Sequence, residues 1–599
     1  MKFYMTEAKP YGLHADADSG AYNRKLKRVL GDDRAADEIY AIEVPSYNKK
    51  AILREKHRFS MIPAHEEFAR HVEEQKFAAE LLDFQERAPR AYREHPIVLE
   101  AAAAGCGLPM PIALYLDGVP YSHVDSVIGF WMVDLLTARR FLIAVLRKKL
   151  VCKCGCKGWC TYQPIFRSIA WSLRSISKGY LPEVDDLGRE FREGSTRWIM
   201  RGRPMTRRGA CLYIKGDWSE YANTLGFPQW GDNLRPCFEC AGIHDLYVPV
   251  GNTAKKFRWS ENDDADYFKA CDTCEIDVEL TARAVTLIKN AGLRYMKTGK
   301  GRCLLSDIAE LRLLKGDRLE PSISIPDIGD FESSLGSIAT FWRSSRETLT
   351  RHRNPLFDPE IGITPKRSLT VDTLHALNLG VYKIWAKVAI WYILLSDVYG
   401  RITSLTADLD TAIRVMVVSL SAFQSQNKAL TKISDLNRKS IGEKSKPTLK
   451  TKGAETWTLI LFLLDEFKKH ADRLGTDGAV MFEAGDQLRK MNRIFHDSGP
   501  VISPADQKNA FEYYSRHMAL MRTYEVFTPK HHIIFHMLKK MDYQGNPALY
   551  ATWLDESLNK MLKKSCKETS QMTFEITILM RMRRVLKDAV GTAKRKFGN

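Results

Sequence analysis

The feature that most constrains this chain is a pair of half-sites far apart in sequence. "RPCFEC" places Cys237 and Cys240 on a Cys-x-x-Cys turn. Almost 300 residues later, "PKHHIIFH" gathers His531, His532 and His536 in an otherwise apolar, β-branched stretch, in a chain with only 15 histidines. Two thiolates at that spacing fill two corners of a zinc tetrahedron and leave two to be found. His531 and His536 are five apart, His532 and His536 four apart, and both spacings suit a C-x-x-C…H-x3–5-H site. A metal shared by the two half-sites obliges the polypeptide to return on itself across half its length. A local alternative stands beside it. "ACDTCE" supplies Cys271 and Cys274, which with Cys237 and Cys240 make C-x2-C-x30-C-x2-C, a four-cysteine ribbon that needs no histidine.

A second cysteine cluster, "VCKCGCKGWC", holds Cys152, Cys154, Cys156 and Cys160, with Gly155 and Gly158 permitting tight turns. Four thiols in nine residues point to a second zinc, with Cys271 and Cys274 available to complete it. None of these spacings resembles a secreted disulfide framework; they suit thiolate ligands in a reducing compartment. The start, "MKFYMTEAKPYG", has no apolar core of a secretory leader. The most membrane-like run, "VYKIWAKVAIWYILL" at 381–395, is shorter than a span and carries Lys383 and Lys387, so a buried helix is expected. Ninety basic residues against 72 acidic ones leave a formal charge of +18. That excess favours a polyanionic partner, because each neutralised phosphate releases condensed counterions.

The texture of the chain changes several times. Residues 1–108 are polar and mostly helical in pattern. Within 109–275, "PIALYLDGVPYS", "SVIGFWMVDL" and "RRFLIAVLRK" are strand-length apolar runs. "YQPIFRSIAWSLRSIS" follows, with Ile165, Ile169, Leu173 and Ile176 at helical spacing, and "GACLYIKGD" is a further strand running into a helix. Residues 276–520 read as an all-helical insertion, interrupted at 437–453 by a basic loop expected to be mobile. Residues 521–599 return to patterned helix and end in a basic tail; from Lys560 onward there are eleven Lys/Arg against three Asp/Glu.

Two of the strands end in acids: Asp117 closes "ALYLDG" and Asp217 closes "CLYIKGD". An Asp beside Gly is most often a turn residue, and Asp125 in "YSHVDS" is a nearby decoy. A third acid gives the pair its meaning. "WLDESLNKMLKK" puts Glu556 on a helix, with Asn559 and Lys560 one turn on and Lys563 two turns on. Carboxylates that converge repel unless a divalent cation neutralises them.

In this order the motifs resemble DDE-type cut-and-paste DNA transposases. They most resemble the CACTA, Plavaka and Kyakuja–Dileera–Zisupton superfamilies and are more distantly similar to the RAG recombinase. The matching strings are "LYLDGVPYS", "KGDWSEYANTLGF…RPCFEC", "VDTLHALNLGVYK" and "TPKHHIIFHMLKK…GNPALYATWLDESLNKMLKK". The resemblance implies a ribonuclease H-like core, a mixed β-sheet with flanking helices, interrupted by the helical insertion before the last catalytic helix. It makes Asp117, Asp217 and Glu556 a catalytic triad on two Mg²⁺ (or Mn²⁺) ions. It makes Cys237, Cys240, His531 and His536 ligands of Zn²⁺, with Asp372 and His375 as a supporting pair. The "CKCGCKGWC" segment is no part of the family pattern.

The implied activity is hydrolysis of a phosphodiester at an element end, then joining of the exposed 3′-hydroxyl to target DNA. The implied partner is double-stranded DNA, with no membrane; the expected assembly is a homodimer and the expected location the nucleus. The alternative is a domesticated, catalytically inactive, zinc-stabilised DNA-binding protein.

Overall fold

Strands form here where apolar residues run in unbroken or strictly alternating order. The computed structural model describes residues 39–152, 158–230, 237–242, 261–273, 354–524 and 527–597, less short stretches at 49–52, 75–76, 404–406, 429, 435 and 571–572. Six strands make one mixed sheet: β1 (Tyr40–Asn48), β2 (Leu53–Met61), β3 (Met110–Pro120), β4 (Ser126–Asp134), β5 (Arg140–Arg147) and β6 (Gly209–Lys215). Their spatial order is β1-β2-β5-β4-β3-β6. β3, β4 and β5 form an antiparallel meander, and β6 lies parallel to β3 on the far edge.

The N-terminal region departs from the expected mostly helical pattern. Tyr40–Asn48 and Leu53–Met61 pair as antiparallel strands, joined to β5 through the Met61–Ala144 pair and a bond from Ile62 N to Ile143 O of 2.8 Å. The signal is a period of two: Tyr40, Ile42 and Val44 are buried, while Ala41, Glu43 and Pro45 between them are less so. Helices α1 (Ala64–Glu74), α2 (Ala78–Arg87) and α3 (Pro96–Ala103) follow.

The sheet is buried on both faces, which is why its central strands read as continuous apolar runs. On one face Ile112, Leu114, Phe130, Met132 and Ile143 meet Ile165, Ile169, Leu173 and Ile176 of α4 (Trp159–Lys178). On the other face Tyr115, Trp131, Val133 and Val145 are covered by two helices from the end of the chain. These are α12 (Trp553–Lys567) and α13 (Phe574–Phe597). Between the halves, α5 (Asp264–Thr273) lies near the Cys-x-x-Cys turn. From 354 to 520 the described residues are mostly helical, led by α6 (Tyr382–Leu395), α7 (Ala407–Gln426), α8 (Gly453–Lys469), α9 (Ala471–Asp497) and α10 (Pro504–Leu520).

Helix α6 is the axis of this helical body, as its apolar sequence implies. Trp385, Ala386, Ala389, Ile390 and Ile393 are fully buried. Gly485 of α9 lets the Trp385 ring approach: a Cβ there would lie 2.1 Å from the indole. No helix among the described residues is long and apolar enough to cross a membrane. The 437–453 stretch is more regular than a mobile loop. Asn437 caps a helical turn at Arg438–Ile441, a two-residue hairpin follows, and Leu449 is buried.

A buried ionic triad sets where α12 docks. Asp555, 1 % exposed, accepts from Lys215 Nζ at the end of β6 (2.6 Å) and Arg140 Nε at the start of β5 (2.7 Å). Burial pulls the Lys215 ammonium down, and the adjacent Asp555 charge only partly offsets this. Apolar seating supplies most of the stability, since each fully buried Phe, Ile or Leu of α13 contributes about 1.5–3 kcal/mol. A buried ion pair adds little net energy but is costly to break. The triad therefore fixes the register of α12 more than it stabilises it. Substituting D555A strands two buried cations, so a loss of about 3–5 kcal/mol is expected, read as a lower urea midpoint. The triple variant K215M/D555L/R140M should recover most of it.

Candidate metal centre and carboxylate cluster

Helix α11 (Pro529–Gln544) begins at the N-cap Thr528, with Pro529 at the first helical position. Four residues along a helix turn about 40° round its axis and five turn about 140°, so His532 shares a face with His536 and His531 does not. The structure follows that rule. Cys237, Cys240, His532 and His536, all buried, place their ligand atoms within 4.8 Å of one another. Cys237 Sγ lies 3.6 Å from His536 Nε2, Cys240 Sγ 3.4 Å from His532 Nε2, and the two Nε2 atoms are 3.1 Å apart. A zinc tetrahedron with its usual bond lengths has S···N edges of about 3.5 Å and N···N edges of about 3.3 Å. The four side chains already outline that tetrahedron.

His531, expected as a ligand, is corrected to a capping and packing residue. Its Nδ1 accepts from Thr528 N (3.1 Å), closing a capping box. Its ring lies parallel to that of His517, with centroids 6.4 Å apart. Burial foremost pushes its pKa down to about 3, so the ring is neutral.

The protein has built the surroundings for thiolates. Glu239 N and Gly242 N point at Cys237 Sγ (3.3 Å) and Cys240 Sγ (3.4 Å). The hydrogen bond from Cys237, with help from both histidines, holds Cys240 down at about 2 despite its burial. Burial, then the same shared proton, pushes Cys237 up. Glu239, 2 % exposed, accepts from Lys540 Nζ of α11 (2.6 Å) and from Tyr267 OH of α5. The turn is thus tied to the helix that carries the histidines. The four-cysteine alternative loses its first pair to these imidazoles; Cys271 falls within α5 and Cys274 lies outside the described residues. Of the second cluster, Cys154 and Cys156 also lie outside them; Cys152 is buried and Cys160 partly so.

The acids converge for a reason visible in strand register. The last β3–β6 pair is Tyr115 with Lys215. Asp117 and Asp217 each stand two residues further on, at the same end of adjacent parallel strands. Asp117 accepts from Gly118 N (2.8 Å), Tyr115 OH (2.8 Å) and Asn559 Nδ2 of α12. Burial first, then the charge of Glu556, with Asp217 and Glu220 adding to it, pushes Asp117 well above the carboxylate range. Glu556 is also raised, by burial foremost; His375 and a hydrogen bond shared with Asp117 oppose the rise, and Asp372 and Asp217 add to it.

Asp372 and His375 stand behind Glu556. Asp372 accepts from His375 Nδ1 (2.6 Å) and from Thr552 N (3.0 Å), one residue before α12. His375 Nε2 is 3.7 Å from Glu556. Burial works against charge on His375. Its bond to Asp372, with the charges of Asp372, Asp217 and Glu556, outweighs this and holds it up at about 9. The turn carrying His375 is wide and π-helical and kinks at Gly380. A Cβ on Gly380 would meet His375 O at 2.9 Å and Lys530 at 2.8 Å.

Sequence reasoning missed Glu220, which is buried and paired with Lys148 (3.5 Å). The D-x-x-E spacing of "DWSE" was its signal: Asp217 caps the turn by accepting from Glu220 N (2.6 Å). Asp125, the decoy, accepts from Tyr121 OH (2.6 Å) and Ser126 N (2.9 Å).

Fold and site together define a mixed α/β protein with a six-stranded sheet, whose distant halves are joined by a buried cluster of two cysteines and two histidines able to hold a metal ion such as zinc. No protein family, curated protein or solved structure matches the chain. Elemental analysis of purified H531A is expected to give the same zinc content at this centre as wild type, while H532A and C237A lose one equivalent. Stripping the metal with a strong chelator should lower the melting temperature of wild type and leave that of H532A unchanged.

Proposed function

We propose that the chain is a DDE-type DNA transposase or integrase on a ribonuclease H-like core. One observation carries this reading. Two aspartates, each two residues past the last pair of adjacent parallel strands, meet the helix near the end of the chain that carries Glu556, and Asn559 of that helix donates to the first of them. The strand order β5-β4-β3-β6, an antiparallel meander with the fourth strand parallel to the first, supports the ribonuclease H-like reading. So does the helical body inserted between Asp217 and Glu556.

The donor set suits a hard divalent cation. Asp117, Asp217 and Glu556 offer only oxygen, and carboxyls that raise one another's pKa are the arrangement such a cation stabilises. Mg²⁺ or Mn²⁺ held there supplies activation of a water or a 3′-hydroxyl and stabilisation of the leaving oxygen in an in-line displacement. The chain's own residues do the positioning. Tyr115 and Asn559 orient Asp117. Asp372 ties down the start of α12 and, through His375, the flank of Glu556. Lys560, Lys564 and Lys567 on the exposed side of α12 offer charge for DNA phosphates.

The test is metal-dependent cleavage of duplex DNA by the purified full chain. D117A and E556Q should reduce cleavage with Mg²⁺ or Mn²⁺ to background and leave low-salt duplex binding intact. Binding itself should weaken on the order of 10³-fold between about 50 and 200 mM salt. Cleavage that survives both substitutions sinks the assignment of the acids. Binding without cleavage under any metal replaces it with an inactive, zinc-stabilised DNA-binding protein.

A further inference from the structure

Asn559 is the residue at the acid cluster whose hydrogen bonding is half made. It sits on α12 one turn after Glu556, so both project from one face of the helix. It is 5 % exposed. Its Nδ2 donates to Asp117 and to Tyr115 OH (2.9 Å). Its Oδ1, buried on the same planar amide, has no hydrogen-bond partner. A buried acceptor left unmatched costs about 1–3 kcal/mol, and such groups are few in folded chains. A leucine of similar size would carry no such penalty. The amide is therefore better explained by something it meets beside Asp117 than by packing.

The chemistry of the neighbourhood identifies that something. Asp117, Glu556 and Asp217 bring negative charge to the spot, Tyr115 already gives its proton to Asp117, and the amide oxygen accepts and cannot donate. The species that fits is both cationic and a hydrogen-bond donor. A hydrated divalent cation is both, since Mg²⁺ sheds its waters reluctantly and keeps several when carboxylates bind it. We propose that Asn559 is a positioning residue for the cation. Its Nδ2 fixes the Asp117 carboxylate, and its Oδ1 accepts from water carried by a cation on Asp117 and Glu556. This rests on the carboxylate reading above and extends it to a residue outside the acid triad.

The experiment is a Mn²⁺ titration of the zinc-loaded full chain, followed by loss of the free-ion electron paramagnetic resonance signal, on wild type, D117N, N559L, N559A and N559D. N559L and N559A should weaken Mn²⁺ binding about 10- to 100-fold, the usual effect of removing an outer partner of a metal ligand. N559D keeps an acceptor oxygen and should bind at least as tightly as N559L or N559A. Circular dichroism and zinc content matching wild type show that a variant is folded; where N559L fails this check, N559A is read in its place. Wild-type affinity in N559L or N559A, with binding abolished in D117N, overturns the role of Asn559 and leaves the carboxylate reading standing. Wild-type affinity in D117N overturns both.

Discussion

Helix α12 brings the third acid to a sheet from which it is hundreds of residues removed, and one buried carboxylate decides where it lands. Asp555 is gripped by Lys215 and Arg140, cations at the ends of two different strands. Apolar contacts such as those of Leu562 and Cys566 are non-directional and fix a helix's position only loosely. Charged partners in a low dielectric do not tolerate a slip. Since Glu556 follows Asp555 directly and Asn559 lies a turn further on, the grip on Asp555 also places the side chains that meet Asp117. Lys215 has a second role, because its pairing with Tyr115 sets the register that aligns Asp117 with Asp217.

The cysteine–histidine cluster answers a different problem. Joining residues almost 300 apart costs on the order of 5 kcal/mol in chain entropy before any contact is made. A structural zinc contributes more than that when its ligands are deprotonated and in place. The ion-paired Glu239 and the backbone amides aimed at both sulfurs hold those ligands ready. With a metal held there, affinity and long-range closure would be two aspects of one equilibrium.

Much of this was legible in the sequence, for particular reasons. β3, β4, β5 and β6 stand out because a strand covered on both faces has no polar positions to interrupt it. Asp117 and Asp217 stand out because each ends such a run. The β1–β2 hairpin was hidden because its alternation is short and sits in charged surroundings that read as helix. The choice of His531 over His532 failed on angle: both spacings fit a motif, but only one fits a helix. Glu220 escaped because its setting comes from tertiary neighbours. Nothing in "DWSE" says which strand will lie against it.

The helical body also meets the sheet beside its edge strand. Leu369 bridges to Ile214 on the edge of β6, and Gln544 of α11 bonds to the carbonyls of Arg367 (3.0 Å) and Leu369 (2.8 Å). Incoming and outgoing segments are stitched together before either reaches the acids. A body anchored beside an edge strand can grow, shrink or be exchanged over evolutionary time while the acid cluster keeps its shape. What must stay in place is the Asp372–His375 turn standing on the threshold.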